Sequence, residues 1–176
     1  MDLGPVDRIT ADAVGEPGDR TFYIQARAGD ELVTVIVEKQ QVQLLAASVL
    51  ELLEETGAAE ETLDASALAL EEPLDPKWRA GRLSIGFDQE RDLFVLEVEE
   101  FRPDLEELEP DDPRTLLPEG EPESIRLWAS PAQMLALSRH GADVASRGRP
   151  TCQFCGNPID AEGHVCPAMN GHSRPA

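Results

Sequence analysis

Two runs near the start of the chain, Thr21–Ala28 (TFYIQARA) and Leu32–Val37 (LVTVIV), are rich in β-branched and aromatic residues. The turn residues Gly29, Asp30 and Glu31 separate them, and the pattern predicts a hairpin. From Gln40 to Glu55 the period changes: Val42, Leu45, Val49 and Leu52 recur at the spacing of one helical face. Gly57, just beyond, is placed to end that helix in a left-handed turn. Strand signals return over Gly81–Phe87 and Leu93–Phe101, which flank the polar turn Asp88–Asp92. In the second of these, Phe94, Leu96 and Val98 alternate with Val95, Glu97 and Glu99, so one face is the more polar. Ser124–Ala129 (SIRLWA) predicts a further strand. Ser130 and Pro131 then open a second helix, with Ser as N-cap and Pro in the first turn. Met134, Leu137, Gly141 and Val144 mark its inner stripe, and Gly148 to Pro150 stop it.

These elements predict an α+β fold: an antiparallel sheet of about five strands carrying two amphipathic helices. Aligning Val33–Leu52 with Ile125–Val144 brings Gln41 onto Gln133, Val42 onto Met134 and Leu45 onto Leu137. The two strand-to-helix units are therefore expected to form a weak pseudo-repeat. The division expected is an α+β domain over residues 1–150 and a small zinc-binding knuckle over 151–176.

Charge changes the picture in two places. The 176 residues hold 35 Asp+Glu against 15 Lys+Arg, a net charge of −20. Residues 51–75 contain nine acids and no base, and residues 97–123 contain twelve acids and two bases. Pro103, Pro110, Pro113, Pro118 and Pro122 forbid a long helix or central strand in the second segment, so 103–123 reads as an acidic surface loop. Such a loop is either a solubilising linker or a docking surface for a partner with a basic surface. The same charge excludes nucleic acid and anionic membrane as partners, since both are polyanions. No apolar run approaches the roughly 20 residues of a membrane span. Met1–Asp19 lacks the basic and apolar regions of a signal peptide, and the chain is expected in the cytoplasm.

The chemistry is concentrated at the C-terminus. Cys152, Cys155 and Cys166 are the chain's three cysteines, with His164 two residues before the last and His172 beyond it. A C-x-x-C-G turn can aim both sulfurs at one point, and on an extended segment His164 and Cys166 point the same way. Three thiolates and one imidazole form a tetrahedral zinc set. Three cysteines cannot all pair as disulfides, and iron–sulfur ligation would call for a fourth cysteine. His164 is favoured as the fourth ligand over His172 because it sits beside Cys166. Four protein ligands leave no open position, so the metal reads as structural. Were His164 absent from the shell, Asp160 or Glu162 could act as base at a zinc-bound water, but the H-x-E of zinc deaminases is missing.

No phosphate loop, dinucleotide fingerprint or hydrolase triad is present. Ser130 reads as an N-cap, His140 as a solvated or C-terminal dipole-facing residue late in the second helix, and Trp78 and Trp128 as core or sheet-packing residues. Arg20, Arg27, Arg79, Arg82 and Arg126 lie on or beside strands. If they converged on one face they would form an anion clamp.

The blocks FYIQARAGDELVTVIVEKQQVQLLA (22–46), IRLWASPAQMLALS (125–138) and CQFCGNPIDAEGHVCPAMNGH (152–172) resemble the actinobacterial family called domain of unknown function 3090. The resemblance covers nearly the whole chain outside the acidic segments. It implies metal binding at Cys152, Cys155, His164 and Cys166, and implies no activity. The function expected is that of a non-catalytic, zinc-binding interaction or regulatory module. The alternative is an enzyme or a small-anion or phosphometabolite binder that uses the strand arginines.

Overall fold

The computed structural model describes residues 1–57, 68–103, 120–160 and 163–169. Most of the acidic loop expected at 103–123, part of the acidic segment 51–75, Glu162 and His172 lie outside the described residues. In chain order the elements are β1 (Asp2–Leu3), β2 (Arg8–Val14), β3 (Thr21–Ala28), β4 (Glu31–Val37), α1 (Lys39–Thr56), β5 (Ala80–Asp88), β6 (Leu93–Glu100), β7 (Ser124–Ala129) and α2 (Pro131–Ser146). A 3-10 turn, Pro167–Met169, follows α2.

The fold is α+β with two helices, but the strands do not make one antiparallel sheet of five. They form a three-stranded sheet in the order β2-β3-β4 and a four-stranded sheet in the order β1-β7-β6-β5. β1 runs parallel to β7; every other pairing is antiparallel. The five strands legible in the sequence divide between β4 and β5, where the parallel bridge Ile36–Arg79 joins the sheets. β1 and β2 are additional. β2 (RITADAV) faces the core with Ile9 and Ala11, and alanine carries little strand signal. The N-terminal segment ties the sheets together again, with the Val6 N–H donating to the Trp128 carbonyl and the Asp7 N–H to that of Arg27, both at 2.8 Å.

One continuous core lies between the sheets and the helices, with Phe94 and Leu96 of β6, Leu127 of β7, Ile24 of β3, Val49 of α1 and Met134 of α2 fully enclosed. Burying such side chains contributes about 1.5–3 kcal/mol each. α1 and α2 pack on each other, α2 also on β2 and α1 also on β5. Gly141 permits the closest approach: a Cβ there would stand 3.0 Å from Val42 and 3.2 Å from Ala11. Nearby, the buried Ser138 hydroxyl donates to the Ala46 carbonyl at 2.7 Å.

Both helices start with the same device. The side chain of Gln41 accepts the Glu38 N–H and that of Gln133 accepts the Ser130 N–H, each at 2.8 Å. Each Gln amide then reaches a segment distant in sequence, Gln41 to the Gly81 carbonyl at 3.0 Å and Gln133 to the Val6 carbonyl at 2.9 Å. α1 ends as its pattern predicts, with Gly57 at φ +66° and its N–H bonded to the Leu53 carbonyl.

The outer face of the smaller sheet carries a buried polar row. Thr10, Gln25 and Thr34 are cross-strand partners. The segment following residue 67 lies over them. Gln25 accepts the Glu71 N–H at 2.7 Å and donates to the Glu71 carbonyl at 2.9 Å and to Thr34 at 3.0 Å. Thr10 donates to the Leu68 carbonyl. Every member is satisfied, so the row fixes the strap without the cost of an unpaired buried group.

Candidate metal centre

The C-terminal knuckle is built from short hydrogen-bonded turns. The Gly156 N–H returns to the Cys152 carbonyl and the Cys152 N–H reaches the Asn157 carbonyl, both at 2.8 Å. Gly156 adopts φ +73°, which an L side chain rarely tolerates, and this lets the backbone reverse directly after Cys155. Bridges Thr151–Pro158 and Asp160–Gly163 bring the following segment back along the first turn.

This places Cys152, Cys155, His164 and Cys166 around one point, with one donor atom from each lying within 4.8 Å of all the others. Sγ of Cys152 is 3.8 Å from Sγ of Cys166, and Sγ of Cys155 is 3.3 Å from Nε2 of His164. The three cysteines are free thiols. A donor set of three sulfurs and one imidazole, converged without a disulfide, can hold a metal ion.

The backbone prepares the first sulfur. N–H groups of Cys155 and then Phe154, aimed at Cys152, pull its thiol down to about 6, against the opposing effect of burial. Cys155 moves the other way. The Asn157 N–H favours its thiolate, but burial, the neighbouring thiols and the negative charge on Cys152 together outweigh that contact and raise it. Metal ions bind thiolates, so Cys152 is more ready to ligate near neutrality than Cys155.

The strand arginines do not converge as a group. Arg27 pairs with Glu71 at 3.0 Å, Arg82 with Glu99 at 2.6 Å and Arg126 with Glu97 at 3.1 Å. Arg20 and Arg79 do reach one place, a cleft of about 610 Å³ beside the knuckle. Lys39 and Arg149 join them there. Sequence patterning missed both, because each sits outside the strands, one opening α1 and one following α2.

Ser130 is an N-cap, its hydroxyl accepting the Gln133 N–H at 3.2 Å. His140 is not solvated at a helix end: it is half-buried in α2, with Nε2 3.3 Å from an Asp12 carboxylate oxygen of β2. Trp78 is half-buried against the core. Trp128 is half-buried under the Arg91 guanidinium, 4.1 Å from its ring centre. Among the described residues no helix is long and apolar enough to cross a membrane.

The model of one protein family, described as "Protein of unknown function (DUF3090)", matches residues 1–166, and the chain belongs to that family. No curated protein and no solved structure matches it.

Proposed function

We propose that the chain is a zinc-binding protein whose metal is structural, and that it works in the cytoplasm as a non-catalytic module that docks on a protein partner with a basic surface. One observation carries the structural reading. Among residues 151–160 and 163–168, only Cys152 (7% exposed) and Cys166 (3%) are buried, while Phe154 (53%) and Val165 (64%) face solvent. A segment with no apolar core of its own needs ligation energy to fold. Zinc suits the spacing. A tetrahedron with Zn–S bonds of about 2.3 Å has an edge of about 3.8 Å, the separation found between Cys152 and Cys166. Four protein donors close the shell against a reactive water. Three thiols held as ligands call for a reducing compartment, which supports the cytoplasm. The net charge of −20 supports a basic partner and disfavours a polyanionic one.

Native mass spectrometry with elemental analysis tests the metal directly, with one zinc per chain expected. Hydrogen exchange should then show residues 150–169 losing protection on chelation while β6 and β7 keep theirs. Unchanged protection in the knuckle after complete metal removal would sink the structural role. The docking role is read by capture from cytosol at low and high salt, where a stoichiometric partner released by salt is expected.

A further inference from the structure

The cleft that gathers Arg20 and Arg79 lies between the start of α1, the end of α2 and the knuckle. Its charged lining is Arg20, Lys39, Arg79 and Arg149 against a single carboxylate, Glu38. On a chain with 15 cations and 35 acids, four cations at one concavity form a strong local excess. The cations come from four separate parts of the chain. Arg20 stands before β3 and donates to the carbonyls of Val144 and Arg147 at the end of α2. Arg79 pairs with Glu38, and Arg149 with Asp160 of the knuckle. Arg149 runs across Gly18, whose missing side chain makes room for it: a Cβ there would meet its Cδ at 2.9 Å. Lys39 extends toward Gly148, where a Cβ would lie 3.6 Å from Nζ. No ion pair or hydrogen bond engages the Lys39 ammonium among the described residues.

We propose that this cleft binds the phosphate group of a small phosphate monoester. Two cations there, Arg20 and Lys39, have no carboxylate partner among the described residues, which matches the charge of about −1.5 to −2 on a monoester near neutrality. The guanidinium forks of Arg79 and Arg149 are held by carboxylates, and a phosphate oxygen can take the same donors in the same geometry. The remaining wall is uncharged: Phe22, Ile36, Val37 and Pro158 give an apolar side, and Thr21 and Thr151 bring polar groups for an organic body. The volume falls in the range of about 300–1,000 Å³ typical of small-molecule sites. A nucleic-acid strand is a poor occupant, because the rest of this acidic chain would repel it. The proposal goes beyond the structural reading of the metal: three of its four cations, Arg20, Lys39 and Arg79, belong to the body of the protein, while Arg149, Thr151 and Pro158 bring the knuckle to the same cleft.

The test is calorimetric titration of the full-length, zinc-loaded chain with inorganic phosphate, phenyl phosphate and acetate at low ionic strength. One molecule of phosphate or phenyl phosphate should bind per chain, phenyl phosphate more tightly and acetate more weakly than either. Lys39→Glu should weaken phosphate binding by about tenfold or more, the effect of losing a charged hydrogen-bond donor and placing an acid there. An acid in the first turn also suits the helix dipole, so α1 should remain formed, as circular dichroism would show. Lys39→Gln should weaken binding by less. Arg91→Glu, which makes the same charge change far from the cleft, should leave it unaltered. No binding through the millimolar range, equal losses in Lys39→Glu and Arg91→Glu, or acetate binding as tight as phosphate would each overturn the proposal.

Discussion

Around Leu96 the chain encloses Phe94, Val98, Ile125, Leu127 and Met134 together, whereas the described residues from Thr151 onward enclose two cysteines and nothing larger. The first region is held by area removed from water, spread over strands and helices far apart in sequence. The second is a short segment whose apolar side chains Phe154 and Val165 face solvent and so remove little area from water. Its backbone is folded by a few turn hydrogen bonds and by two glycines with positive φ, Gly156 and Gly163. On the function proposed above, chelating side chains take the place of packing there. On that reading the chain carries two independent sources of order: one that fails with heat or denaturant, and one that fails when a metal is withdrawn.

Substitutions on either side should separate the two. The largest effect is expected from Cys166→Ser. It removes a buried donor from the cluster, and metal ligation in small zinc-folded modules is worth about 10–16 kcal/mol in apparent free energy. Zinc content should fall to background and exchange protection should vanish from 150–169, while the urea midpoint of the body stays close to that of the parent. A body midpoint falling in step with the knuckle would show that the two regions fold as one unit.

Leu96→Ala should give the reverse result. Leu96 is fully buried in β6 between Ile85 and Leu127, its cross-strand partners, so truncation leaves a cavity. A loss of about 2–5 kcal/mol is expected from urea unfolding, with zinc stoichiometry unchanged in the folded fraction. Zinc lost in proportion to body stability would erase the distinction.

The smallest effect is expected from Ser130→Ala. It deletes the hydroxyl that accepts the Gln133 N–H at the start of α2 and should cost about 1 kcal/mol in the body alone. Its use is to calibrate the contrast, because a modest loss in the body should not register in the exchange of the knuckle at all.

How much of this was legible beforehand depends on how local the cause is. The period of Val42, Leu45 and Val49 reports α1, and all three are buried as the stripe requires. Ser130 and Pro131 mark the start of α2, and Gly57 the end of α1, because caps act within a single turn. The four donors of the knuckle were legible for the same reason: their types and short spacing bring them together almost irrespective of the rest of the chain. The strand β2 was not, since Ile9 and Ala11 become core positions only once α2 lies over them. His140 was misplaced likewise, because its neighbour Asp12 stands over a hundred residues earlier.

What the sequence by itself determined, then, is the two helices and their ends, the strands β3 to β7, and the four residues of the Cys/His cluster. All of these follow from interactions over a few residues, where helical or strand periodicity, capping chemistry and side-chain type suffice. Only the tertiary structure decided that the strands divide into two sheets, that Gln25 is buried and satisfied by Glu71, and that Arg20, Lys39, Arg79 and Arg149 share one cleft. Those outcomes depend on which surfaces meet. Strands with similar patterns can pair in many orders, and the one adopted is selected by packing the whole core at once.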